Sequence, residues 1–303
     1  MRQRRPRDSV RPPARRLTPV LPTFPAFVRE TVTSTPPQVP PGTVTEPDTA
    51  RADIGIVVAL AIEISPFLDR CEHVHKYTGG PFVFRGGRLG QTRIAVVETG
   101  PGAALAARGT RALIDAHHPD WVISAGFSGS IVPTVVQGDI VIGTSIRSHD
   151  GRELKFDLRF EADPDSGLHA GSLLTAEKIL RTVTEKKLAA TKTGCLAVDL
   201  ESFAVADVCR QEGQKFLAVR TISDDLTADL PPEALAIFAA QGYRRWGAVA
   251  GSLFRRPSSV QDLWELRSQA VRAADALAAF LPKVIPSLPL ATTDSGDAAT
   301  SSK

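Results

Sequence analysis

Four stretches of this chain are almost wholly apolar and rich in β-branched residues: IGIVVAL (54–60), WVISAGF (121–127), DIVIGTSI (139–146) and KFLAVRTISD (215–224). A strand that reads as an unbroken apolar run is covered on both faces, and this is the strongest constraint on the fold. The segments between these runs have a different character. Gly100-Pro101-Gly102 breaks the chain, and AALAARGTRALIDAHH then reads as a helix. TAEKILRTVTEKKLAA (175–190) reads as another, and LESFAVADVCRQEG as a third that ends at Gly213. Two further helices close the body, near 233–254 and 259–281. FVFRGGRLG and TRIAVVETG form a meander, and CLAVD is a short strand. Strands interleaved with helices predict one α/β domain over residues 53–285, with a central mixed sheet flanked by helices.

The charge lies outside that body. Residues 1–52 hold nine Arg, no Lys and four acids, a balance of +5, whereas the whole chain carries +3, so the remainder is −2. The same arm holds 11 of the 23 prolines. It reads as a disordered basic arm, without the apolar core of a secretory signal. Residues 286–303, small and polar, read as a disordered tail. Nothing in the sequence resembles a membrane span. Three scattered cysteines, Cys71, Cys195 and Cys209, suit a reduced, cytoplasmic setting, and no Cys or His spacing suggests a metal. The pair His117-His118 before Pro119 suits a helix end. No cofactor and no nucleic-acid partner is expected.

In open α/β sheets, ligands gather at the carboxyl ends of strands. Three acids fall there: Glu63 past IGIVVAL, Glu201 past CLAVD and Asp224 past KFLAVRTIS. A lone acid at such a place is an N-cap or first-turn residue favoured by the helix dipole. Three together point to a shared site.

IGIVVALAIEISPFL resembles the opening strand and glutamate turn of the nucleoside phosphorylase/nucleosidase superfamily. ETGPGAALAARGTRALIDAHHPDWVISAGFSGSIVPTVVQGDIVIG resembles its next section, AVDLES its ribose motif and VRTISDD its "R-ISD" motif. Together they run in order over about residues 53–281. The likeness is strongest to the methylthioadenosine/S-adenosylhomocysteine nucleosidase branch. The C-terminal part, with SLFRRPSSVQDLWELRSQAVRAADALAAFL, resembles the hopanoid-associated phosphorylase subgroup.

The resemblance implies a phosphorylase/hydrolase-like three-layer sandwich and cleavage of a purine N-glycosidic bond through a cationic sugar. That chemistry needs an acid on the leaving group and a carboxylate near the sugar. By the resemblance, Asp224 protonates the purine at N7, kept protonated by a dry pocket and hydrogen bonds, with Ser223 steering it. Glu201 binds the ribose 2′- and 3′-hydroxyls, and Glu63 activates water. Asp199 is a second ribose-side acid or a helix-start cap. Leu200 packs under the sugar or is plain core. Arg220 is a buried ion-pair partner or a phosphate contact.

Two places depart from the family pattern. In the loop Gly126-Phe127-Ser128-Gly129, Phe127 stands where the phosphorylases carry a phosphate-binding serine. Phe cannot bind phosphate, which favours hydrolysis, although Ser128 is one residue away. Ile179 and Leu180 stand where the nucleosidases stack an aromatic ring on adenine. The expectation is therefore hydrolytic release of adenine from methylthioadenosine or S-adenosylhomocysteine-type nucleosides. Two alternatives stay open: a phosphate-dependent phosphorylase of the hopanoid type, with phosphate as co-substrate, and a catalytically silent nucleoside-binding module. The resemblance further implies a homodimer. Phe254-Arg255-Arg256-Pro257 and Trp264 suit an amphipathic helix, either ordinary or in weak peripheral contact with a membrane. Trp264, Val271, Ala274, Leu277, Ala278 and Leu281 form its expected apolar stripe.

Overall fold

The computed structural model describes residues 51–158, 160–231 and 258–290, with side chains from 267 in the last segment. The arm (residues 1–50), the helix expected near 233–254, the 254–257 motif and the Trp264 side chain lie outside the described residues.

Among the described residues, ten strands form one mixed sheet. β1 (Ile54–Val58) is buried at all five positions, as its apolar run requires. It lies between β4 (Thr92–Glu98) and β5 (Trp121–Ser130), parallel to both. β3 (Phe82–Leu89) and β2 (Glu72–Gly79) extend the sheet beyond β4 as an antiparallel meander. The other half is closed. β10 (Lys215–Asp224) pairs parallel with β5 and antiparallel with β6 (Ile140–Ser148). β6 pairs with β8 (Leu168–Thr175), and β8 with β9 (Ala197–Asp199). β9 returns to β5. Strands β5, β10, β6, β8 and β9 therefore form a ring, with the short β7 (Glu153–Lys155) attached to β6.

Helices cover both faces. α2 (Ala103–His117) and α4 (Ser202–Gln211) pack over Val97, Val122, Ala218 and Ile222 with Leu113, Phe203 and Val205. α1 (Ala61–Leu68) and α5 (Ser258–Val284) cover Ile56, Ile123 and Val219 with Phe67, Leu277 and Leu281. Each such buried side chain contributes about 1.5–3 kcal/mol of transfer free energy. α2 ends on His118 in the left-handed conformation (φ 41°), with its N–H on Ile114 O. No helix among the described residues is long and apolar enough to cross a membrane.

Three features differ from the sequence expectation. Residues 175–190 are not one helix. Thr175 ends β8, 176–182 form a loop, and α3 (Val183–Thr193) begins only at the Thr182 cap. The Thr182 side chain accepts the Glu185 N–H at 3.1 Å while Glu185 Oε2 accepts the Thr182 N–H at 2.9 Å. This capping box fixes the start. The folded body is also longer than expected at both ends. Ala52 is buried, and beyond α5 a 3₁₀ turn (Ile285–Ser287) leads to buried Leu288, with Pro289 O accepting Trp121 Nε1 at 3.0 Å. Finally, Val271 is exposed, while Ala274, Leu277, Ala278 and Leu281 are buried.

Candidate active site

The carboxyl ends of β1, β5, β8, β9 and β10 meet near one stretch of β5, residues Gly126–Gly129. Glu63 lies in the first turn of α1, just past β1, and is buried. Its Oε2 accepts the Leu60 N–H at 2.8 Å, which caps α1. Its Oε1 crosses to β5 and accepts the Phe127 N–H at 2.9 Å. One carboxylate thus caps α1 and ties it to the end of β5. Gly126 permits this approach: its φ is +152°, and a Cβ there would stand 2.6 Å from Glu63 Oε1 and 2.7 Å from Arg220 Nη1. Burial pushes the Glu63 carboxyl above its ordinary range, against the pull of the Phe127 and Leu60 amides, the Arg220 charge and the Ala59 amide.

Arg220, on β10 and 2% exposed, is the hub. Its Nε donates to Asp199 Oδ2 at 2.7 Å and to Ser202 Oγ at 3.1 Å, and Nη2 donates to Ser124 Oγ at 2.9 Å. It is a buried ion-pair partner, the first of the two roles considered. Asp199 also acts as scaffold. Its Oδ1 accepts the Thr175 hydroxyl at 2.7 Å and the amides of Glu201 and Ser202 at 3.2 Å. Both its oxygens are engaged by protein, so the helix-start role is the one it fills. Thr175 Oγ1 in turn accepts the Phe203 N–H.

Glu201 follows at once. Its Oε1 accepts the Gly102 N–H at 2.7 Å. Gly102 starts α2 with φ +101°, a conformation that suits glycine. Glu201 is held up from 4.5 to about 7, by burial first, then by the Asp199 charge and, last, the Glu63 charge; Arg220 and the Gly102 amide oppose this. Leu200 is partly buried and packs with Leu180 against Ile131, Leu174 and Val198. Ile179 and Leu180 lie in the loop after β8, not on a helix.

Asp224 ends β10, past a bulge at Ile222/Asp224 that brings it opposite Gly129. A Cβ on Gly129 would lie 3.0 Å from Asp224 Oδ2. Ser223 Oγ donates to Asp224 Oδ1 at 2.8 Å. The surroundings of Asp224 depart from the expected dry wall. Lys186 of α3, fully buried, donates from Nζ to Asp224 Oδ2 and to Asp225 O at 2.9 Å. The sequence offered little warning of Lys186, because Lys186-Lys187 in a charged helix reads as a solvated face. Gly102 is visible in the Gly-Pro-Gly break, but nothing in the sequence marks it as the anchor of Glu201.

Ser128 is buried, and its Oγ donates to Val198 O at 2.8 Å. Its hydroxyl is bound within the scaffold, so it does not make good the serine replaced by Phe127. Among the described residues no His, Cys, Asp and Glu group is arranged for a metal ion. Burial pushes the Cys71 and Cys209 thiols up to about 11 and about 12, which leaves neither a ready nucleophile.

Comparison with known proteins agrees with this architecture. The 5′-methylthioadenosine/S-adenosylhomocysteine nucleosidase of Neisseria meningitidis superposes with a TM-score of 0.58 at 20% identity, covering 78% of this chain and 99% of that one. The S-adenosylhomocysteine nucleosidase of Streptococcus pyogenes gives 0.59 at 18% identity, with 80% and 100% covered. The futalosine hydrolase of Helicobacter pylori strain 26695 gives 0.57 at 18% identity, with 78% and 97% covered. At these identities the likeness shows a shared fold. The family model described as the phosphorylase superfamily matches residues 53–167 and 161–255, two thirds of the sequence, and the chain belongs to that superfamily.

Proposed function

We propose that the protein is a nucleosidase: it hydrolyses the N-glycosidic bond of a purine ribonucleoside, releasing adenine from substrates of the methylthioadenosine or S-adenosylhomocysteine type. One observation carries this reading. Three successive β5 residues each tie to a different acid-bearing segment: Phe127 to Glu63, Ser128 to the Val198 carbonyl beside Asp199 and Glu201, and Gly129 to Asp224. Acids far apart in sequence thus converge on one strand end.

In this reading Glu201 accepts the ribose hydroxyls and faces the positive charge that grows on the sugar. Glu63, raised by burial but held by two amides, takes a proton from the attacking water; a base titrating closer to neutrality suits that work. Asp224 delivers a proton to N7 of the departing base, steered by Ser223. Leu200, Ile179 and Leu180 offer an aliphatic floor to the purine.

Water is favoured over phosphate as acceptor for three reasons. Phe127 offers no hydroxyl, the Ser128 hydroxyl is bound to Val198 O, and Arg220 is committed to Asp199, Ser202 and Ser124. The test is incubation with a panel of purine nucleosides, with and without phosphate. Free ribose derivative and free base in both arms are expected. Ribose 1-phosphate formed only with phosphate would replace hydrolysis by phosphorolysis, and tight nucleoside binding with no base released would leave a silent binding module. We extend the proposal to a homodimer, which sedimentation velocity reads directly.

A further inference from the structure

Lys186 is not part of the chemistry set out above, yet among the described residues it is a fully buried cation. It is fully buried on α3, and its ammonium has two partners, the Asp224 carboxylate and the Asp225 carbonyl. Replacing a buried ion pair by apolar side chains is often neutral or stabilising, so burial alone does not explain the pair. Its position is informative. Lys186 is the fourth residue of α3, in the turn where the helix dipole disfavours a cation. It touches the one carboxylate that has to deliver a proton.

The geometry points to Lys186 as the positioning residue that stores the proton Asp224 delivers to the leaving base. This rests on the nucleosidase reading. In the resting pair Lys186 is an ammonium and Asp224 a carboxylate. As the C1′–N9 bond breaks, its electron pair goes to the purine. Lys186 Nζ passes its proton to Asp224 Oδ2 and Asp224 passes one on to N7, so the pair ends as a neutral amine and a carboxylate. The sugar cation takes hydroxide from water, whose other proton goes to Glu63. Solvent then returns a proton from Glu63 to Lys186, so atoms and charge balance.

The charged groups facing the Lys186 ammonium among the described residues are Asp224 and Asp225. The Asp225 carboxylate is itself bound by Thr227 and the Gln137 amide. Burial, which would raise it, is outweighed by those bonds and the Lys186 charge. Glu185, the neighbour on α3, turns back to the amides of Arg181 and Thr182. Ser223 Oγ occupies the other Asp224 oxygen. The store is thus one lysine and one carboxylate, with no third group in contact competing for the proton.

The experiment is the pH profile of kcat/KM, from pH 5 to pH 10, for the wild type, Lys186→Met and Lys186→Arg, with methylthioadenosine as substrate. A lysine ammonium as a class carries its proton to higher pH than a carboxylic acid does, so proton delivery should fail at lower pH once the ammonium is gone. In Lys186→Met the basic limb should move acidward by about one unit or more, with a loss at pH 8 of roughly 10²-fold. Lys186→Arg keeps the charge, and hence the fold should Lys186→Met fail to fold, but guanidinium does not surrender its proton. Its basic limb should move in the same direction. The 4-nitrophenyl riboside of the same 5-methylthio sugar has a leaving group that needs no proton, so its cleavage should change less than about fivefold. A basic limb that stays at its wild-type position in Lys186→Arg, or equal losses on both substrates, overturns the inference. A wild type that cleaves neither substrate instead overturns the nucleosidase reading.

Discussion

Two cations organise the acids of this site, and they do so with opposite charge balance. Around Arg220 stand three carboxylates, those of Asp199, Glu201 and Glu63, against one guanidinium. Around Lys186 the side-chain bond goes to Asp224 alone. The Arg220 cluster is therefore short of positive charge, and the shortage appears where it is cheapest: Glu201 is held up to about 7 and Glu63 is raised, while Asp199 keeps the direct bond. In the proposed function, a cluster with more carboxylates than cations is complementary to a sugar that becomes cationic. The Lys186 pair is balanced and offers a proton instead. In the proposed function, sugar side and base side would thus differ in stoichiometry before any substrate arrives.

The largest expected effect tests the balanced side. Asp224→Asn should lower kcat by about 10²–10⁴-fold and KM far less, because an amide supplies no proton. It also leaves Lys186 buried without its carboxylate, a cost of about 3–5 kcal/mol. The double variant Asp224→Asn/Lys186→Met should recover most of that stability in a thermal melt while staying inactive. Recovery of turnover would remove Asp224 from the acid role.

Next is the crowded side. Arg220→Met strands three carboxylates and should destabilise by about 3–5 kcal/mol near pH 8. The loss should shrink towards pH 5, as Glu201, held up to about 7, takes up its proton. A loss independent of pH would mean that the three acids are not coupled through Arg220.

The wild type should show a weaker form of the same behaviour. Glu201 has a folded-state value of about 7 against 4.5 unfolded. Between those values the folded chain holds the proton and the unfolded chain does not, so stability falls as pH rises from about 4.5 to 7, by about 3 kcal/mol. Glu201→Gln should flatten that slope in melts from pH 4.5 to pH 8. It should also weaken binding of ribonucleosides but not of free adenine; an unchanged slope would move the titration elsewhere.

The smallest effect concerns the loop between the two clusters. Ser128→Ala removes one bond to Val198 O, worth about 0.5–1.5 kcal/mol. It should leave turnover within a few-fold and independent of phosphate. A phosphate-dependent rate lost in this variant would return Ser128 to the role of anion ligand.

Much of this architecture was legible. KFLAVRTISD is β10 from its first residue to its last, and IGIVV is β1, because a strand covered on both faces advertises itself in composition. The failures have physical causes. LHAGSLLT carries His169, Gly171 and Ser172 within a strand, so no apolar run or alternation marks β8. The apolar residues of 176–182 then imitate a helix that starts only at Thr182. Glu63, Glu201 and Asp224 could be named because each follows a readable strand. Lys186 could not, because its partner is 38 residues away and only the fold joins them. The pairing of β5 with β10 over Lys215↔Trp121 to Asp224↔Gly129 likewise leaves no local trace.

That pairing closes the five-strand ring, and closure governs how the site can fail. In an open sheet, a border strand can slide by one residue and turn its side chains to the opposite face. Here β10 is gripped by β5 on one side and β6 on the other, and the circuit returns through β8 and β9. Slippage of the strand that bears Arg220 and Asp224 would have to break ladders on both flanks at once. The spacing of Asp224 from Glu63 and Glu201 is consequently set by main-chain lattice, so drift in surrounding side chains leaves the three carboxylates in place.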